Sequence, residues 1–201
     1  MNEFENKARS FWAWFEASSN RIRKVRSASE RLYKEIESRL HEVCPQIGFE
    51  IGGSPDSDDM SLVITAFGDV NLFDTAYSLV AHAPPIKSWN ILALKPPLAE
   101  QAEIEYEGIR LSTKDIYFSV IDSAADCPIK LEIVISARKR KLSEGLQDAA
   151  LLLIASVVGE RAAAMNIEVV ELRVMESKTP VRGYRPILEL PSEIRNRFAE
   201  K

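Results

Sequence analysis

Phe4, Ala8, Phe11, Trp12 and Phe15 recur at three- and four-residue intervals, so residues 3–17 predict an amphipathic helix with one apolar face. Ser18, Ser19 and Asn20 are expected to end it. Leu32, Ile36, Leu40 and Val43 mark the buried stripe of a second helix, from about Ser27 to Val43. Ser27 and Glu30 have capping-box spacing. Pro45 stops the helix, because the residue before a proline is pushed out of the helical region. Residues 1–45 therefore read as an N-terminal helical hairpin.

The period then changes to two. Phe49 and Ile51 alternate with polar or small neighbours, GGSPDSDD marks a long turn, and Leu62 to Phe67 predicts a buried strand. Asn71 is placed to cap a helix carrying Leu72, Ala76, Leu79, Val80 and Ala83, which Pro84 and Pro85 end. Trp89 to Leu94 is the next strand. After a connector from Lys95 to Gln101, Ile104 to Leu111 predicts a short hairpin turning at Glu107-Gly108. Ile116 to Ile121 follows as a strand. Ile129, Leu131, Ile133 and Ile135 then alternate with Lys130, Glu132, Val134 and Ser136, a strand with one wet face. Ser143 caps a long helix reaching about Met165, and Ile167 to Val174 is the last strand.

The order predicts an α+β fold: two β-β-α-β units sharing one mixed or antiparallel sheet with helices on one face, preceded by the N-terminal helical pair. The body spans 46–177, with halves at 46–95 and 103–177. The segment 178–201 contains Pro180, Pro186 and Pro191 and is expected to be an extended, Pro-rich tail closing with a short helix from Ser192. If Ile129 to Ile135 lay at a sheet edge, it could pair across a homodimer.

Composition narrows the class. Among 201 residues, 26 Lys+Arg against 30 Asp+Glu leave a net charge of −4, with 46% hydrophobic and 28% charged residues. That balance excludes disorder over most of the length. The longest nearly unbroken apolar run, Ala149 to Val158, is half of the ~20 residues that a membrane span needs. The acids in MNEFENKARSFWAWF argue against a secretory signal. Cys44 and Cys127 stand far apart and suggest neither a disulfide framework nor a zinc site. A cytoplasmic protein without membrane attachment is the expectation.

Several residues carry candidate chemistry. Arg138, Lys139, Arg140 and Lys141 precede Ser143 at the start of the most apolar helix, where backbone N–H groups could hold an anion. Arg21, Arg23, Lys24 and Arg26 form a second basic cluster. The chain as a whole is net negative and shows no nucleic-acid-binding motif, so nucleic acid is the minority reading of these charges. Trp14 in the FWAWF segment, and Tyr184 and Arg185 in VRGYRP, are candidate contacts for another protein. Asp56, Ser57, Asp58 and Asp59 do not fit a calcium loop, which needs a central glycine and a distal glutamate. Glu103, Glu105 and Glu107 alternate as a wet strand face. His41 and Cys44 are three apart on a helix and could touch, and His82 suits a helix C-terminus. No nucleophile elbow, P-loop or dinucleotide fingerprint occurs. No catalytic residue, metal site or cofactor is therefore expected.

Phe11-Trp12-Ala13-Trp14-Phe15, the Gly48-Phe49-Glu50-Ile51 strand and the closing Leu188-Glu189-Leu190-Pro191 resemble uncharacterised bacterial proteins of about this size. The resemblance implies a cytoplasmic α+β protein and transfers no activity. The leading expectation is a non-enzymatic protein-interaction or regulatory module. An anion- or nucleic-acid-binding module using Arg138 to Lys141 is the first alternative. A small-molecule enzyme or binder with a pocket between the two halves is the second.

Overall fold

A computed structural model describes residues 2–24, 30–53, 59–98, 100–122, 128–137, 141–176 and 182–198. The chain divides into two compact units, Met1–Lys95 and Pro96–Lys201.

The first unit opens with α1 (Glu3–Lys24) and α2 (Glu30–Val43). The expected break at Ser18 to Asn20 does not occur. Ser19 is buried, its hydroxyl donates to the Glu16 carbonyl at 2.7 Å, and Ile22 adds another buried turn. A serine that bonds back into its own helix does not stop it. The Ser27 cap lies outside the described residues. Next come β1 (Gly48–Gly53), β2 (Met60–Thr65), α3 (Phe73–Ala81) and β3 (Trp89–Ala93). A 3-10 turn, Val70–Leu72, precedes α3, and Asp69 rather than Asn71 caps it, accepting from the Asn71 N–H at 2.9 Å. The sheet order is β1-β2-β3, with β1 antiparallel and β3 parallel to β2. Phe49, Ile51, Leu62, Ile64, Ile91 and Ala93 fall on one face by register, and they join α1, α2 and α3 in one core.

The second unit begins with the hairpin β4 (Glu103–Tyr106) and β5 (Ile109–Ser112). It turns where expected: Glu107 (φ 49°) and Gly108 (φ 77°) are both left-handed, as a two-residue hairpin turn with matching twist requires. Then follow β6 (Ile116–Asp122), β7 (Ile129–Ser136), α4 (Glu144–Val158), α5 (Glu160–Asn166) and β8 (Ile167–Met175). One long helix was expected between β7 and β8. Gly159, at φ 86° and ψ 151°, divides it in two, a conformation open essentially to glycine alone. β9 (Arg185–Pro186) pairs with β6, giving the order β8-β7-β6-β9. The expected closing helix is α6 (Leu190–Phe198), which starts two residues before Ser192, and Ile187, Leu190 and Ile194 are buried in the unit's core.

The α+β class and the twofold β-β-α-β order are present. The single shared sheet is not. Among the described residues the strands make three sheets, and each β-β-α-β unit keeps its own. The physical reason is that each hairpin and parallel crossover closes an apolar face that its own helices cover. β7 lies between β8 and β6. Ile129 to Ile135 is thus a central strand with both edges already bonded, and the expected edge-to-edge contact through it is corrected.

Candidate functional site

After an exposed polar start at Glu144, Gln147 and Asp148, α4 is apolar from Ala149 onward apart from Ser156. Leu146, Ala149, Ala150, Leu153, Ile154, Val157 and Val158 form its buried stripe, and the two alanines let the helix axis approach the sheet. At Gly145 a side chain would stand 3.2 Å from Ile109 Cδ1, so the β4-β5 hairpin lies against the start of this helix. What remains is an outer face that an ordinary surface helix would make polar. It carries Leu151 (44% exposed) and Leu152 (45%), with Leu142 (39%) just before the cap. Leu98 (40% exposed) joins them from the connector, because its N–H donates to the Ser156 carbonyl at 2.9 Å, one turn beyond Leu152. Clustered exposed leucines are the kind of surface that protein contacts use. Sequence reasoning passed over this face. The signal was present in LLLIASVV, where apolar residues exceed what one stripe can bury.

Arg138, Lys139 and Arg140 lie outside the described residues. Lys141 is exposed, and Ser143 caps α4, its hydroxyl oxygen accepting from the Leu146 N–H at 3.3 Å. Of the other basic cluster, Arg21 pairs with Glu35 at 2.9 Å and ties α1 to α2. Arg23 and Lys24 end α1, and Arg26 lies outside the described residues.

Tyr184 and Arg185 fasten the tail to its own unit. The Tyr184 hydroxyl donates to Glu132 Oε2 at 2.5 Å and accepts from Arg173, whose guanidinium stands 3.5 Å from Glu132 and 3.9 Å from Glu171. The Tyr184 hydrogen bond, helped by the charge of Arg173, holds the Glu132 carboxyl below its ordinary range. The same bond to Glu132, with partial burial, raises the Tyr184 phenol. Arg185 pairs with Glu193 of α6 at 2.9 Å and lies 4.7 Å from the Phe118 ring centroid. Sequence reasoning named Tyr184 but not Glu132 or Arg173, because pairings 52 and 11 residues apart leave no local pattern.

Trp14 is half-buried. Its ring lies 5.8 Å from the Arg39 guanidinium of α2. His82 is part of the packing: its Nδ1 donates to the Ser78 carbonyl at 2.7 Å, and Phe4 meets its ring edge-on. A carbonyl can only accept, so this bond fixes the proton on Nδ1. Cys44 is half-buried against the first unit's core, while Cys127 and Asp56 to Asp58 lie outside the described residues. Among the described residues no group of three His, Cys, Asp or Glu is placed to hold a metal ion, and no helix is long and apolar enough to cross a membrane.

One unexpected feature stands after β2. Phe67 has φ 53° and is 76% exposed, although bulky side chains rarely adopt that backbone region. Its ring covers Gly48 so closely that a Cβ there would lie 2.1 Å from Phe67 Cζ.

No protein family, curated protein or solved structure matches the chain.

Proposed function

We propose that this protein is a non-enzymatic interaction module and that the outer face of α4 is its contact surface. The observation that supports the reading is the pair Leu151 and Leu152, left open on a helix whose opposite side is packed, with exposed Leu98 bonded one turn further along it. The occupant is another protein rather than a lipid surface, because exposed Asp148 stands one helical turn before Leu151 and Leu152 and would face anionic headgroups. Acid-base chemistry draws no support from Glu132, Arg173 and Tyr184. Their hydrogen bonds keep the phenol protonated and the carboxyl ionised, opposite to the tuning a phenolate base or carboxylic acid needs.

The test is a photo-crosslinking side chain at position 152, compared with one at exposed Lys114, in the protein's own cells. The reading expects one discrete protein adduct at 152, absent at 114, and lost when Leu151→Asp is added with the fold retained. Equal labelling at both positions, or an adduct indifferent to Leu151→Asp, contradicts it. So does a metabolite that raises the melting temperature and is turned over.

A further inference from the structure

β8 ends its sheet, and its residues form a self-complementary pattern. Its pairing to β7 slips at Val170: Leu131 stands opposite Val169, and Glu132 opposite Glu171. The slip shifts the alternation by one residue halfway along the strand. Ile167 and Val169 before it, and Leu172 and Val174 after it, all pack toward the core. Glu168 before it, and Glu171 and Arg173 after it, lie in the row of Lys130, Glu132 and Val134 on the opposite face. Val170 is 54% exposed at the slip itself.

In antiparallel pairing, directly opposite residues share a face. Two copies of an ordinary strand satisfy this when the opposed residue numbers have the same parity. Here the shifted alternation requires opposite parity, so residues before Val170 must meet residues after it. Three central registers meet that condition. One sets Glu168 opposite Glu171, with like charges apposed. Another sets Glu168 opposite Met175 and leaves Arg173 facing Val170. The third sets Glu168 opposite Arg173, Val169 opposite Leu172 and Ile167 opposite Val174, with Val170 facing Glu171 on either side of the axis. It joins opposite charges twice across a two-fold axis and continues the apolar row without interruption.

We propose that a second copy of this chain adds to the sheet along β8 in this third register, making one continuous sheet from two molecules. An unpaired edge offers the N–H and C=O groups for such pairing. Glu168 and Arg173 select the register and reject the neighbouring ones. The contact does not use the outer face of α4, so either proposal can fail alone.

Light scattering of the full chain over a wide concentration range is the test, with far-ultraviolet circular dichroism as the fold control. The expected result is a concentration-dependent doubling of mass. Glu168→Arg places like charges together twice and weakens association roughly tenfold or more. Adding Arg173→Glu to it restores opposite charges and recovers much of the loss. Amide exchange along 167–175 should also slow as concentration rises, a readout that needs no variant. A monomer at every concentration overturns the proposal. A dimer indifferent to Glu168→Arg, or exchange in β8 independent of concentration, does so equally.

Discussion

The two units run the same β-β-α-β course and complete it with different material. In the first, the crossover helix α3 has nine residues, and the N-terminal pair α1 and α2 supplies most of the cover. That cover is aromatic. Phe11 meets Trp12 at 4.8 Å and Phe15 meets Trp89 at 4.9 Å between ring centroids, both edge-on. The Trp12 indole N–H donates to the Leu79 carbonyl at 2.8 Å and so locks α1 to α3. In the second unit the crossover is the longer α4 with α5, and the core is aliphatic, Phe118 being the one fully buried aromatic ring among its described residues. The β4-β5 hairpin and the C-terminal β9 and α6 finish it.

The difference teaches how a common topology is closed. A short crossover helix leaves sheet area that large rings from elsewhere in the chain must fill. A longer helix, apolar from Ala149 onward, covers more of its sheet and has apolar surface left over. That surplus is the leucine face of α4. The first unit thus closes its sheet with rings from α1, and the second leaves leucines of its crossover helix exposed.

Four substitutions sharpen this contrast, from the largest effect down. Trp12→Ala removes a ring that is 1% exposed together with its hydrogen bond. It should destabilise the protein by about 3–5 kcal/mol in denaturant unfolding. A loss under about 1 kcal/mol would break the claim that aromatic packing closes the first unit. Leu153→Ala, in the fully buried stripe of α4, should cost about 2–5 kcal/mol by the same measurement. Gly159→Ala forces a side chain into a backbone region that disfavours it, and roughly 1–3 kcal/mol should be lost. Leu152→Ala, one residue from Leu153 on the open face, should fall within about 0.5 kcal/mol. Similar losses at 152 and 153 would contradict the division of α4 into a packed and an open side.

Tyr184→Phe is expected to have the smallest effect and is read best against pH. With its folded value lowered, Glu132 contributes stability that is present above the ordinary carboxylate range and is lost as pH falls through the depressed value. With its folded value raised, Tyr184 contributes stability that is present below the ordinary phenol value of roughly 10 and is lost as pH rises toward the higher one. Tyr184→Phe should therefore flatten the alkaline fall in melting temperature and reduce the acid one. An unchanged alkaline limb would show that the tail is held without this hydroxyl.

Much of the fold was legible because it rests on local pattern. The stripe Leu32, Ile36, Leu40, the alternation Ile129 to Ile135 and the turn Glu107-Gly108 each state an element within a few residues. The errors arose where a local signal met a long-range one. Ser18 to Asn20 resemble a helix end until Ser19 and Ile22 find buried places in the core. Gly159 inside an apolar run resembles a tolerated helical glycine until its left-handed φ is known. Whether two repeated units share a sheet depends on which strands bond, and register between distant strands leaves no trace in composition. The site residues divide in the same way. The leucine excess of α4 could be seen in the sequence, whereas Glu132, Arg173 and Tyr184 meet only through the order β8-β7-β6-β9.

The most direct test of this account follows the unfolding of Leu153→Ala with two probes. All three tryptophans, Trp12, Trp14 and Trp89, belong to the first unit. Their fluorescence reports that unit, whereas far-ultraviolet circular dichroism reports both. Because each unit's core is built from its own residues, the account predicts an unmoved fluorescence midpoint and a dichroism curve that gains an earlier transition. A fluorescence midpoint that falls with the dichroism midpoint would contradict two separately closed units.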